Sequence, residues 1–397
     1  MRLNQKLQAV WESATVALAD RVRELKAEGK HVIALQTGDP DFPTPEPIVE
    51  AAYQALKDGL THYSNSRGLP ELREAISQKL FQEHGVHYDP GAEILVTSGG
   101  VHAYFCALNA ILSLGEEVLV PDPAWMTHSN VITLLGGKAK HVPSEPENDF
   151  WPKVDAWEES VSPKTVALVI NSPNNPTGSV ATEDYLRKVV DFANRHDLHI
   201  ISDEVYNAIL FDSQRHVCMA SFPEARDRIL LVNSFSKTYA MTGWRIGYLA
   251  APAAIVSQAL KASQHTITNV SPFVQKAALC ALNDADVAAA VSKMVARYQQ
   301  RRDMALKILK ERSRVGIDVV KSKGAFYLFL DIRKLGMPSN TFAKRLLDEA
   351  LISTVPGSVY GVCGEGFLRV TTATSEEVIE AGIQGLLDWA DSQEWGN

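Results

Sequence analysis

The chain of 397 residues is long enough for a large core and for two or three folding units. It is 46% hydrophobic and 22% charged, ordinary globular values, and its net charge of -8 offers no basic field to nucleic acid or an anionic membrane. Cys106, Cys218, Cys280 and Cys363 are scattered without a Cys-x-x-Cys pair, so neither a disulfide framework nor a metal site is expected. Met1–Lys6 leads into no apolar signal segment, and no apolar run is long enough to span a bilayer. A cytoplasmic protein is expected.

In chain order, Thr15–Glu28 carries Val16, Leu18, Val22 and Leu25 at helical spacing and stops at Gly29. His31–Leu35 reads as a short strand leading into Thr37–Pro45, whose glycine and prolines demand a shaped loop. Helices are predicted at Glu46–Leu56, from Leu69 to Gly85 and at Ala103–Leu114, with the polar loop His62–Gly68 between the first two. Strands are predicted at Ile94–Thr97, Val118–Val120, Ala139–Val142, Val166–Ile170, His199–Ser202 and Ile229–Val232, with a helix at Glu183–Asn194. Apolar strands alternating with helices predict a mostly parallel α/β sheet with ligand chemistry at the strands' C-terminal ends.

The second half changes character. Helices are predicted at Ala253–Gln264, Ser271–Leu282 and Val287–Arg312, then strands Phe326–Leu330 and Phe367–Thr371 around a helix at Thr341–Ala350, and a closing helix Ser375–Ser392. The expectation is a large α/β domain over 46–282 and a smaller α+β domain made of 1–45 and 283–397. His196-Asp197-Leu198-His199 reads as a turn with solvated histidines. Gly361–Gly366 precedes a strand, the wrong order for a nucleotide fingerprint, and reads as a flexible loop.

Four loops follow predicted strands: Ser98-Gly99-Gly100, Asn171–Gly178, Asp203-Glu204-Val205-Tyr206 and Ser234-Phe235-Ser236-Lys237. Taken alone, the last is a surface loop bearing cations. Together the four supply complementary chemistry at one edge of a sheet. Backbone N–H groups at Gly99 and Gly100, the Ser234 hydroxyl and the Arg245 fork suit a phosphate. A desolvated Lys237 amine suits a carbonyl, Asp203 suits a protonated ring nitrogen, and Asn175 and Tyr206 suit a ring oxygen. Those are the contacts that pyridoxal phosphate requires.

Asn-Asn-Pro-Thr-Gly at Asn174–Gly178, Asp203-x-x-Tyr206, Ser234-x-Ser236-Lys237 with Arg245, and the late Phe367-Leu368-Arg369 occur in the order of a known family. From about Gly38 to Arg369 the chain resembles the fold-type-I, pyridoxal-phosphate-dependent class I aminotransferases, the aspartate aminotransferase-like family. The resemblance implies that Lys237 holds the cofactor covalently and shuttles a proton, that Asp203 pairs with the ring nitrogen, and that Tyr206 and Asn175 bond the ring oxygen. It implies a phosphate site at Gly99, Gly100, Val101, Ser234 and Arg245, and ring stacking by Trp125. It places Tyr63 against a neighbouring subunit's phosphate, hence a homodimer. It gives the substrate α-carboxylate to Arg369, with Gly38 contacting it through backbone.

The implied activity moves an amino group from an L-amino acid to a 2-oxo acid. The side-chain class of the donor stays open, because Val101 stands where some relatives carry a lysine for a distal carboxylate, and the alignment of His265 with a distal-carboxylate arginine is weak. Neutral, aromatic, basic and acidic donors all remain. Alternatives are a β-lyase on the same scaffold and a non-catalytic ligand-binding protein. No Gly-x-Gly-x-x-Gly supports a nicotinamide dehydrogenase.

Overall fold

The alternating strands and helices take the form of one seven-stranded sheet. The computed structural model describes residues 5–8, 10 and 12–395, so that Met1–Asn4, the start of the segment weighed as a signal, lies outside the described residues. After the short β1 (Ile33–Ala34), the sheet is built from β2 (Ile94–Thr97), β3 (Glu117–Asp122), β4 (Lys138–Pro143), β5 (Thr165–Asn171), β6 (His199–Asp203), β7 (Ile229–Ser234) and β8 (Gly247–Ala250). Their spatial order is β2-β8-β7-β6-β5-β3-β4. Only β8 runs against its neighbours, β7 and β2. That strand was not expected from the sequence, because Gly247–Ala250 is short and follows the Arg245 loop directly. Gly247 pairs with Ser234, and a Cβ on it would lie 2.6 Å from the Asn233 carbonyl oxygen.

Period-two alternation along the strands sorts two hydrophobic layers. Ile229 and Leu231 of β7 join Leu168, Ile170 and Ile200 on one face, against helices Pro70–His84, Glu183–Arg195 and Pro272–Asn283. Leu230 and Val232 join Val169 and Ile201 on the other, against Gly100–Ile111 and Ala253–Thr266. Both faces are covered, which is why these strands read as continuous apolar runs. The helix Met126–Leu134 was missed, because Thr127, His128, Ser129 and Asn130 blur its apolar period.

The smaller α+β part holds β9 (Asp318–Val320), β10 (Tyr327–Asp331), β11 (Ile352–Ser353), β12 (Val355–Pro356) and β13 (Phe367–Thr371). Antiparallel pairing orders four of them β12-β13-β10-β9, while β11 pairs with β1 and ties in the N-terminal segment. Leu328, Leu330, Leu368 and Val370 pack on Phe342, Leu346, Ile383 and Leu386 of helices Ser339–Ala350 and Glu376–Asp391. The alternate residues, Tyr327, Phe329, Phe367 and Arg369, therefore sit on the opposite face of this sheet. The helix Ala285–Arg312 precedes it, its first turn capped by Asp284, whose Oδ1 accepts from the Asp286 and Val287 N–H groups.

Two expectations are corrected. His196 is not merely solvated, since its Nε2 faces Glu158 Oε2 at 2.8 Å. Gly361–Gly366 is not a flexible loop but a pair of tight turns pinned to β3. Both carboxylate oxygens of the buried Asp122 accept backbone N–H groups there, from Val362 at 2.9 Å and Cys363 at 3.0 Å. Gly361 has φ +134°, and a Cβ on it would overlap the Asp122 carboxylate.

Gly361→Ala should therefore cost about 2–4 kcal/mol, from the strained φ together with displacement of a buried, hydrogen-bonded carboxylate. Gly59→Ala is the control, with φ +80° but nothing within 4 Å of the added Cβ; it should cost only about 1 kcal/mol. Urea unfolding midpoints of the two variants give the comparison, and equal midpoints would refute the Asp122 contact as the cause.

Candidate active site

The parallel strands deliver their C-terminal ends to one cavity of about 270 Å³. Asn171 ends β5, Asp203 ends β6 and Ser234 ends β7; Gly100 and Val101 open the helix that follows β2. From the smaller sheet come Tyr327 and Arg369, and from the N-terminal segment Thr15 and Gly38. Of the residues predicted, Gly38, Gly100, Val101, Trp125, Asn175, Asp203, Tyr206, Ser234, Lys237, Arg245 and Arg369 line this cavity. Gly99 stands one residue outside, and Tyr63 lines no part of it, its side chain being 88% exposed. His265 is exposed near the end of its helix and also lies off the cavity.

Lys237 Nζ donates to the Gly38 carbonyl at 2.6 Å. Burial depresses its pKa to about 8, Arg369 and Arg245 push the same way, and Asp39 pushes back. About a tenth of this lysine is thus the neutral amine at pH 7, far more than at the ordinary lysine value. On another wall Asp203, 3% exposed, holds His128 Nε2 at 2.9 Å on its Oδ2. His128 is itself buried, with Trp125 edge-on to its ring at a centroid separation of 5.4 Å. Sequence reasoning missed His128, whose only signal was its place just after the Trp125 loop.

Arg369 is 3% exposed yet donates to Asn175 Oδ1 at 3.1 Å and to the Gln36 carbonyl at 2.6 Å. Its guanidinium lies over the Tyr327 ring at 4.4 Å and near the Tyr360 ring at 5.4 Å. Its Nε, buried, has no partner among the described residues. Such a half-satisfied buried fork is built for an incoming anion. Burial, above all, raises the Tyr206 phenol well above its ordinary range, so it stays protonated and able to donate.

Opposite the lysine, Gly99 has φ +83°, and a Cβ on it would come within 2.7 Å of Arg245 Nη2. A Cβ on Gly100 would meet Val205 at 3.3 Å and Ser234 at 3.5 Å. Side chains at these two positions would fill the space between the helix start, Ser234 and Arg245. Glycine keeps it open for an anion approached by backbone N–H groups.

Residues 30–386 match the family described as aminotransferase class I and II. The chain belongs to this family. It is 44% identical to an aspartate aminotransferase of Pyrococcus abyssi, over 91% of this chain and 92% of that one. It is 41% identical to an aromatic-amino-acid aminotransferase of Thermococcus litoralis, over 96% and 97% of the two chains. The solved structure of the Thermus thermophilus aspartate aminotransferase with maleate superposes with a TM-score of 0.93 at 36% identity, covering 98% of this chain and all of that one. The chain is accordingly an aminotransferase that uses pyridoxal phosphate, and the cavity fits that cofactor: an open phosphate cradle, a neutral-prone lysine and a buried carboxylate face one another across it.

The depressed pKa makes a signed prediction. The neutral amine is the form that attacks a carbonyl, so capture of pyridoxal phosphate by the cofactor-free protein should accelerate as pH rises through about 8 and level off above it. Asp39→Asn removes the group that raises this pKa and should move the midpoint to lower pH. Stopped-flow absorbance against pH measures both. A midpoint near the ordinary lysine value of 10.5 would contradict the burial argument.

Proposed function

We propose that the side chains of this cavity divide the work of transamination as follows. Lys237 Nζ would hold the cofactor, and its neutral amine would take up and return the proton of the donor's Cα. Asp203, braced by His128, carries the negative charge that keeps a proton on the ring nitrogen. Tyr206 and Asn175 donate to the ring oxygen, and Trp125 covers the ring face. Ser234, Arg245 and the N–H groups of Gly99, Gly100 and Val101 take the phosphate, with Ser234 and Arg245 donating from their side chains. Arg369 forks the substrate α-carboxylate, supported by Asn175 and the backbone at Gly38. Bound pyridoxal phosphate supplies the electron sink for the Cα carbanion; the chain supplies orientation and protonation states.

The observation that carries this reading is the meeting of Lys237, Asp203–His128 and Arg369 in one cavity, with the lysine's pKa lowered by burial and the Arg369 Nε left without a partner among the described residues. The relatives are named for aspartate, aromatic amino acids and aspartate or prephenate, and the donor side chain stays open between acidic, aromatic, neutral and basic. We propose further that the protein is a cytoplasmic homodimer in which the exposed Tyr63 reaches the partner's phosphate. Among the described residues no helix is long and apolar enough to cross a membrane. The domain boundaries proposed are 46–282 for the large unit and 1–45 with 283–397 for the small one. The two layers around the larger sheet, drawn from Ile48 to Val287, support this. So does the separate cluster that joins Leu35 to Ala305–Ala390.

The test is a visible absorption spectrum of the purified protein against a panel of amino acids. A cofactor band that shifts with one donor class and returns on adding a 2-oxo acid establishes transamination and names the donor. Lys237→Ala should lose covalent cofactor and at least about 100-fold in turnover; retention of both would sink the assignment. Asp203→Ala should release cofactor more readily and slow Cα deprotonation by a similar factor.

A further inference from the structure

Tyr327, absent from the sequence-based set, touches three parts of the cavity at once. Its hydroxyl lies 2.9 Å from that of Tyr206, and both side chains are buried. Its ring lies beneath the Arg369 guanidinium at 4.4 Å. Its hydroxyl also fills the space where a Cβ on Gly38 would stand, next to the carbonyl that accepts from Lys237. The residue comes from β10 of the smaller sheet, whereas Tyr206 follows β6 of the larger one.

Each phenol carries one proton and can both donate and accept. Of the two ways to share the single hydrogen bond between them, only one leaves the Tyr206 proton for another acceptor. That is donation from Tyr327 to Tyr206. A phenol that accepts one hydrogen bond is polarised and donates a stronger one in turn. We infer that Tyr327 is a positioning residue that donates to Tyr206, directs the Tyr206 proton at the cofactor's ring oxygen, and supports Arg369 with its ring. This rests on the proposed role of Tyr206. Both phenols are raised, chiefly by burial, and stay protonated; the contact between them raises Tyr206 and lowers Tyr327, and Arg369 lowers both.

The hydroxyl and the ring make separable contributions. Tyr327→Phe keeps the ring and its packing and loses only the donated hydrogen bond. Removing support from a donor to an anionic ring oxygen disfavours the deprotonated chromophore. The pH midpoint of the bound cofactor's absorption band should therefore move upward, by about 0.5 pH unit. Release of cofactor, followed by ultrafiltration, should increase about threefold, and the donor KM should stay within about twofold. Tyr327→Leu removes the ring as well, and should add a rise in KM of about tenfold as Arg369 loses its platform.

The decisive comparison is with Tyr206→Phe. If Tyr327 acts through Tyr206, Tyr327→Phe adds no further midpoint shift in the double variant. If Tyr206→Phe shifts the midpoint and Tyr327→Phe does not, or if the two shifts simply add, the coupling is refuted and the role of Tyr206 stands. If Tyr206→Phe itself leaves the midpoint unmoved, the reading beneath the proposal fails first. A KM that rises as much in Tyr327→Phe as in Tyr327→Leu would refute the division between hydroxyl and ring.

Discussion

Lys237, Arg245 and Arg369 line one small cavity, the first and last of them largely withdrawn from solvent, and like charges brought together there repel. Arginine cannot relieve the crowding by giving up its proton; lysine can. The burden therefore falls on Lys237, whose pKa is lowered by burial first and by both arginines after it. The same crowding leaves the two forks in need of anions. In the proposed reading a phosphate answers Arg245 and a carboxylate answers Arg369. Burial is the main activator of the lysine, opposed by Asp39, and the cavity's basic charge adds to it while favouring anionic ligands.

The fold meets this constraint by bringing the cations in from different directions. Arg245 closes the loop between β7 and β8, at a left-handed φ of +56° that aims the guanidinium back toward Gly99. Lys237 lies in the turn three residues past the end of β7. Arg369 belongs to β13 of the other sheet, where Leu368 and Val370 take the core face and so turn Arg369 the other way. Its register partner is Phe329, two residues along β10 from Tyr327, which puts the supporting ring on the same face as the guanidinium. A one-residue slip in either strand would bury the wrong set of side chains and remove both groups from the site.

Much of this was legible because the signals were local. Apolar runs mark β5, β6 and β7, and the residues just past them carry the chemistry. β13 shows the same logic, since an arginine between Leu368 and Val370 in a buried strand needs a partner. The unread parts depend on tertiary approach. His128 sits in the first turn of its helix among polar residues and gains meaning only because Asp203 lies 2.9 Å away. Tyr327 looks like one more aromatic in Phe326–Leu330 until Tyr206 and Arg369 come to either side of it. Thr15 reaches the cavity from a helix whose sequence signals only an amphipathic surface. Tyr63 shows the converse, a residue the resemblance singles out but whose own chain gives it no contact with the cavity.

The charge argument also bears on the order of events within the proposed reading. A donor's α-carboxylate settling on Arg369 neutralises one of the groups that depress Lys237. The amine then becomes more basic at the moment when its task changes from holding the cofactor to taking a proton from Cα. Departure of the product acid restores the cation and lowers the affinity of Lys237 for its proton again. Arg369 is well suited to transmit this, because its guanidinium is buried, stacked on Tyr327 and bound to Asn175, and so cannot swing into solvent to shed the coupling. A lysine at 369 would lose the fixed fork and, when buried among cations, would share the proton deficit instead of imposing it on Lys237.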